Sequence, residues 1–408
     1  MNLLSLDLES AQRLVQGLGW PRYRAWQILR WLYRGRLRDI EQMTDLSKAE
    51  RDRLKAVAVA GRSQDCQVLR SEDGTRKFLI SLEDGLVVES VLIPEASRLT
   101  LCLSTQVGCT LDCGFCLTGR MGLKRNLKAF EIVDQVLTAL DRLEAGETLS
   151  NLVLMGMGEP LANFEAVAAA VARLTDDQWG LAFPVRRITL STAGFASRLN
   201  DVAPLGVNLA ISLNATTNEQ RDQLMPAINR LHPLETLLAA CRAYPLPPRR
   251  RLTFEYVLLA HVNDSEQDAR RLVKLLRGIR CKVNLIPFNE FSPSRRPAPI
   301  TISSLAPSPS PLPHLGGEDK GEGARVTSPF KRPEEATVLR FQSVLKRAGI
   351  PTFVRKSKGR DILGACGQLG ELPQAREPLA PSTKPVLSPA EGPVLSLAEG
   401  LRISSGHA

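Results

Sequence analysis

The sequence predicts an α/β fold, an open, partial TIM-like (βα)6 barrel preceded by a small helical N-terminal domain. Three observations predict it. Apolar residues recur at helical spacing between residues 6 and 59, strand-like and helix-like segments alternate from residue 99 onward, and polar motifs sit where the strand-like runs end.

Residues 1–62 read as a helical accessory domain. Leu14, Leu18, Trp26, Leu29, Leu32 and Tyr33 fall at helical spacings, and Arg22, Arg24, Arg30, Arg34, Arg36 and Arg38 are interleaved with Trp20, Tyr23, Trp31 and Tyr33. A basic helix face is ordinarily solvated. Arginines mixed with aromatic rings also suit RNA, where phosphates take the charge and unstacked bases take the rings. Residues 63–98 then change to alternation, with Asp73-Gly74 and Asp84-Gly85 as turns, the pattern of hairpin strands. Val87, Val88, Val91 and Ile93 supply branched residues for a sheet; Glu89 interrupts them, as a charge on an exposed strand face ordinarily does.

Residues 99–302 read as the core. Strands are expected at 99–107, 149–155, 187–191, 207–213, 251–258 and 282–287, and helices at 129–143, 163–174, 195–202, 233–243 and 265–276. Six strands are too few for a closed eight-stranded barrel, hence an open one. Chemistry in such folds belongs at the carboxyl ends of the strands. There lie Cys109 after the first strand, Gly158 and Glu159 after the second, Ser191 at the third, Ser212 and Asn214 at the fourth, and Asn289 after the sixth. Residues 303–329 are rich in Pro, Ser and Gly and contain no aromatic residue, which reads as a disordered surface insertion. Residues 330–370 resume with a helix over 331–349, a short strand-like 352–354, and a basic loop of Arg355, Lys356, Lys358 and Arg360 leading to Cys366. From residue 371 the chain reads as a disordered tail with a near-repeat at 385–392 and 393–400.

The net charge of +10 over 408 residues favours a polyanionic partner. No apolar run approaches the roughly 18 residues that a membrane span needs, and Asp7 and Glu9 fall where a signal peptide is apolar, so a cytoplasmic protein with no membrane partner is expected. Eight cysteines, three of them clustered, fit metal-binding or catalytic thiols in a reducing compartment better than a disulfide framework.

The cluster is Gly108-Cys109-Thr110-Leu111-Asp112-Cys113-Gly114-Phe115-Cys116, a C-x3-C-x2-C loop at a strand end. Soft thiolates hold iron, and short spacers let three of them converge on an iron–sulfur cluster with one iron left open. Cys113 and Cys116 alone could instead be half of a zinc site or a redox dithiol. Zinc is poorly supplied, because no histidine occurs before His232 and Cys102 sits inside a strand.

This spacing resembles that of radical S-adenosylmethionine (SAM) enzymes. With Cys102, Gly156-Met157-Gly158-Glu159-Pro160 and Ala365-Cys366-Gly367-Gln368-Leu369 in that order, the chain up to Leu369, apart from one insertion, resembles the RlmN/Cfr family of RNA adenosine methyltransferases. The resemblance implies a radical SAM-type barrel and a 4Fe-4S cluster on Cys109, Cys113 and Cys116, with two SAM molecules used per turnover. It places Gly158 and Glu159 at the amino end of SAM, and Ser191, Ser212, Leu213, Asn214 and Asn289 at its ribose, carboxylate or adenine. Many relatives carry Ser-Leu-His where this chain has Ser212-Leu213-Asn214; asparagine still offers a donor and an acceptor.

It further implies that Cys366 is methylated as a thiolate, with the nearby basic residues lowering its pKa. Cys102 would take a proton and close a Cys102–Cys366 disulfide, and Glu89 would handle protons. The implied substrates are an adenosine of 23S rRNA in the peptidyl transferase centre and the adenosine 3′ of the tRNA anticodon, methylated at C2. A reductant such as flavodoxin and a monomeric state are expected. Methylation at C8, a radical SAM enzyme of small molecules, and a non-catalytic metal-dependent RNA-binding protein remain the alternatives.

Overall fold

The computed structural model describes residues 1–63, 65–96, 98–291 and 329–370. The insertion expected at 303–329, apart from Pro329, and the tail from 371 lie outside the described residues. Helices α1 (Leu8–Gly17), α2 (Tyr23–Tyr33) and α3 (Lys48–Val57) open the chain. Asp7 caps α1 by accepting from the Ser10 amide at 2.8 Å, and Ser47 with Glu50 forms a reciprocal capping box on α3. Their apolar stripes bury Val15, Ile28, Leu29, Leu32 and Leu54 in a core continuous with that of the barrel.

The arginines of this region are exposed or half-buried, and most of them also bond the rest of the fold. Arg30 donates to the Gln178 carbonyl at 3.0 Å, Arg34 to Gly180 at 3.2 Å, Arg36 to Leu140 at 3.2 Å, and Arg38 to Asp141 at 2.9 Å. Arg24 pairs with Glu50 at 3.0 Å. Tyr33 is fully buried and Trp20 nearly so, whereas Tyr23 is exposed. Charge and rings together here dock the helices on the core.

Ten strands form one sheet. β1 (Cys66–Arg70), β2 (Arg76–Ser81) and β3 (Val87–Glu95) make an antiparallel meander that pairs through β3 with β4 (Arg98–Cys102). From β4 onward every neighbour is parallel: β7 (Leu149–Leu154), β8 (Ile188–Thr192), β9 (Asn208–Ser212), β10 (Leu252–Leu258), β11 (Cys281–Pro287) and β12 (Thr352–Val354). The sheet begins at β1 and ends at β12, so it does not close. Short helices α4 (Leu117–Arg120) and α7 (Leu199–Val202) and the longer α5 (Ala129–Leu140), α6 (Phe164–Thr175), α10 (Leu234–Ala243), α11 (Glu266–Leu275) and α12 (Glu335–Arg347) run in the connections between parallel strands.

The parallel run has seven strands where six core strands were expected, because the short 352–354 segment pairs with β11. The expected single strand over 99–107 is two. β4 stops at Cys102, and Gln106–Val107 (β5) turns away to pair with Arg125–Asn126 (β6). The reason is local: Ser104 leaves the ladder, its backbone amide donating to Gln135 at 2.9 Å and its hydroxyl bonding the Glu89 carbonyl at 2.5 Å. Two helices after β9, α8 (Asn218–Leu224) and α9 (Pro226–Leu231), were not anticipated.

Candidate active site

Because β4 and β7 to β12 are parallel, the residues that follow them share one rim of the barrel. A cleft opens there, lined by Cys109, Cys113, Cys116, Gly158, Glu159, Ser191, Ser212, Asn214, Glu255, Asn289 and Cys366. Nine of the thirteen residues expected from the sequence, namely three cysteines with Gly158, Glu159, Ser191, Ser212, Asn214 and Asn289, therefore meet with Cys366 in one place, as a tenth.

The cysteine loop leaves β5 through Gly108, whose φ of +78° and close approach to the Gly122 carbonyl exclude a side chain. The loop is braced from α8 and α9: the Gly114 amide donates to the Leu224 carbonyl at 3.0 Å, and Asp112 accepts from the Ala227 amide at 3.1 Å. All three thiols pack against an apolar cluster of Leu111, Phe115, Leu224, Met225 and Phe288. Burial raises each thiol pKa, that of Cys109 to about 12, and the charge of Cys116 and Cys109 adds to the rise at Cys113. Among the described residues no three His, Cys, Asp or Glu side chains converge on a single ion position. Three closely spaced thiols with no histidine in the cleft lining suit a polynuclear iron–sulfur cluster, in which each binds a different iron.

Glu159 caps the turn after β7. Its carboxylate accepts from the Leu161 amide at 3.0 Å and the Ala193 amide at 2.7 Å, while burial pushes its pKa up to about 7. A Cβ on Gly158, at φ +99°, would lie 2.6 Å from the Gln106 Cβ, so glycine lets this turn press against the cysteine strand. Asn214 has a left-handed φ of +57°, a region asparagine tolerates. Its oxygen accepts from the Val257 amide at 2.8 Å and its Nδ2 reaches the Met225 sulfur at 3.4 Å, so it braces β9 against β10 as well as facing the cleft.

Cys366 is exposed to the cleft on a loop tied to everything around it. Asn289 donates to the Cys366 carbonyl at 3.2 Å, the Leu117 amide to Gly367 at 2.8 Å, and the Thr118 hydroxyl to Leu369 at 2.6 Å. The expected depression of its thiol pKa is not what the structure shows. The enclosing walls and the charge of Glu255 raise it, against the opposing pull of Arg355. Cys102, at the end of β4, is buried, free, and within electrostatic reach of Cys366; burial above all raises its pKa.

Three expected residues do not line the cleft. Cys102 is buried at the end of β4, outside the lining. Leu213 is fully buried, and its amide donates to the Glu255 carbonyl at 3.0 Å, so its side chain belongs to the core. Glu89 is 2% exposed rather than displayed on a strand face; Lys77 lies 3.1 Å away and the Gly370 amide donates to it at 3.2 Å. Glu255 was missed altogether. It is a buried acid on β10, bonded by Asn284 at 2.8 Å, and burial raises its pKa. Its signal was available as the one charge in the otherwise uncharged 252–258.

Comparison with known proteins agrees with this geometry. Residues 1–60 match the model of the ribosomal RNA large subunit methyltransferase N-terminal domain, and residues 103–273 match that of the radical SAM superfamily. The chain is 48% identical over 351 residues to the dual-specificity RNA methyltransferase RlmN of Desulfosudis oleivorans, covering 85% of this chain and 84% of that protein. It is 44% identical over 370 residues to the protein of the same name from Syntrophus aciditrophicus, covering 90% and 96%. A crystal structure of a radical SAM methyltransferase from Sphaerobacter thermophilus superimposes with a TM-score of 0.77 at 41% identity, over 90% of this chain and 98% of that one. An open parallel barrel, three cleft cysteines after its first strand and these relatives together establish that the chain belongs to the RlmN family of radical SAM methyltransferases.

Proposed function

We propose that the protein methylates C2 of an adenosine in 23S rRNA and of the adenosine 3′ of the tRNA anticodon, through a methylated Cys366 and a Cys102–Cys366 disulfide. One observation carries the reading. A loop cysteine distant in sequence, Cys366, opens into the same cleft as Cys109, Cys113 and Cys116, with Cys102 within electrostatic reach.

Cys109, Cys113 and Cys116 would hold a 4Fe-4S cluster, which would supply the electron for reductive cleavage of SAM to a hydrogen-abstracting radical. The chain's residues do the rest. Glu159 and Gly158 bind the amino end of SAM, and Ser191, Ser212, Asn214 and Asn289 hold its other polar groups. The Cys366 thiol gives up its proton and takes the methyl group of another SAM by displacement at the sulfonium, so two SAM molecules serve each turnover. That methyl carbon, once it has lost a hydrogen atom, joins the electron-poor ring carbon. The adduct radical gives back one electron to the redox centre that supplied it, and Cys102 removes the proton from the substituted carbon; its sulfur then attacks that of Cys366, the S–S bond forms as the C–S bond breaks, the departing carbon takes up the proton to complete the methyl group, and the methylated base leaves. A base in structured RNA must be turned out of its stack to reach this cleft, which suits the +10 net charge. The protein acts as a cytoplasmic monomer fed by a reductant of the flavodoxin type. Among the described residues no helix is long and apolar enough to cross a membrane.

The test is mass spectrometry of nucleosides from ribosomal and transfer RNA incubated anaerobically with reconstituted protein, SAM and reductant. 2-Methyladenosine is expected, and 8-methyladenosine would overturn the regiochemistry. Cys366→Ala abolishes turnover yet keeps cluster and SAM; Cys102→Ala stalls with RNA covalently attached through Cys366. Normal methylation by either variant would remove the mechanism.

A further inference from the structure

Arg221, on α8, is the largest fully buried side chain among the described residues. Its guanidinium donates to neutral oxygens only: Asn229 Oδ1 at 3.0 Å, the His232 carbonyl at 2.8 Å and the Ala193 carbonyl at 2.7 Å, while its Nε has no hydrogen-bond partner. Among the described residues no carboxylate lies within ion-pair distance of it; Asp222, the nearest in sequence, is exposed and accepts instead from Asn229 at 2.7 Å. A buried cation without an anion is strongly disfavoured. Burial accordingly lowers its pKa to about 10, and the group that opposes this most is Cys113, followed by Asp222 and Cys241.

The position explains what the charge is for. The same α8 that carries Arg221 ends on Leu224, whose carbonyl holds the Gly114 amide between Cys113 and Cys116. Arg221 also holds the Ala193 carbonyl, while the Ala193 amide binds Glu159, so one residue braces both the cysteine loop's support and the SAM-facing carboxylate. A 4Fe-4S cluster with three thiolates is a net anion, and reduction by one electron makes it more negative. A fixed cation beside it, shielded from water, therefore favours the reduced form.

We propose that Arg221 is the built-in counter-charge of the cluster held by Cys109, Cys113 and Cys116, and that it raises the cluster's reduction potential. The proposal rests on those cysteines holding a cluster, as the family reading has it. Anaerobic spectroelectrochemical titration of the reconstituted protein tests it. Arg221→Met makes one-electron reduction at least tenfold less favourable, a midpoint 59 mV or more below wild type.

A second variant guards against simple misfolding. Asn229→Asp with Asp222→Asn moves one negative charge from the surface to a position 3.0 Å from Arg221, with net charge and side-chain shapes retained. The same lowering is expected, together with a smaller rise in melting temperature on cluster loading than wild type shows. A wild-type midpoint in this double variant, with iron and sulfide stoichiometric, would overturn the proposal. Wild-type protein that binds no iron and sulfide would instead overturn the cluster reading itself.

Discussion

Lys77 and Glu89 show how single residues place the reactive cysteine. They are diagonal neighbours on paired strands, since Lys77 faces Val91 and Glu89 faces Leu79. Both are almost wholly buried. Lys77 donates to the Leu363 carbonyl at 3.3 Å, and Glu89 accepts from the Gly370 amide, so the pair grips both ends of the segment that carries Cys366. Lys77→Ala leaves Glu89 buried with its cation gone and costs about 3–5 kcal/mol, to be read in denaturant melts of the protein. The looser loop should also let Cys366 react faster with iodoacetamide. Unchanged stability and reactivity would show that the pair is no latch. Glu89 stood out in the sequence through family resemblance; Lys77, inside Arg-Lys-Phe-Leu-Ile, carried no signal. Its partner is twelve residues away in the chain, and its other contact lies with Leu363, so only folding reveals it.

At the scale of elements, strand-to-loop boundaries carry the chemistry, and these were legible. Apolar strand runs ending in Cys, Gly-Glu, Ser or Asn mark where a parallel sheet delivers polar groups. Less legible were α8 and α9, whose short amphipathic stretches look like a loop. They are stabilised by what they pack on, including the cysteine loop, rather than by their own length. The β1–β2 turn shows a similar tertiary use. Asp73 accepts from the Thr75 amide at 3.0 Å and the Gly359 amide at 2.9 Å, tying the hairpin to the loop before Cys366. Partial burial opposes its ionisation, but the hydrogen bonds win and lower its pKa from 3.8 to about 2. A depressed carboxyl pKa stabilises the fold above the unfolded value and loses that contribution as pH falls from 3.8 through about 2. Melting temperatures of wild type and Asp73→Asn should therefore differ above pH 4 and converge toward pH 2. A gap that persists at pH 2 would locate the difference in geometry instead of charge.

Over the whole molecule, the helical N-terminal segment is bound to the barrel through polar contacts around a shared core. Arg62, fully buried, pairs with buried Asp134 and at 3.0 Å with Asp141 on the far end of α5, and Arg173 donates to the Ser5 carbonyl at 2.9 Å. Arg62→Ala strands Asp134 in the interior, and a loss of about 3–5 kcal/mol is expected. Faster limited proteolysis near residue 62 should accompany it, and wild-type resistance would show that the apolar contacts suffice. The aromatic and basic composition of residues 20–38 suggested an RNA grip because charge and rings look alike whether they meet a phosphate or a carbonyl. Packing partners, which composition does not contain, tie most of these exposed or half-buried arginines to carbonyls and carboxylates of the fold.

Periodicity and motif order by themselves determined the α/β class, the open parallel barrel, the three cysteines and the rim that carries Glu159, Ser191, Ser212 and Asn289, because each depends on spacing along the chain and on the direction of parallel strands. Only the tertiary structure decided that Cys366 shares a cleft with those cysteines, that Glu255 is buried in it, that Arg221 is buried on the helix that supports the cysteine loop, and that Glu89 is gripped by Lys77. These are pairings between segments up to several hundred residues apart, and their energies come from desolvation and close contact, which arise only once the chain has folded.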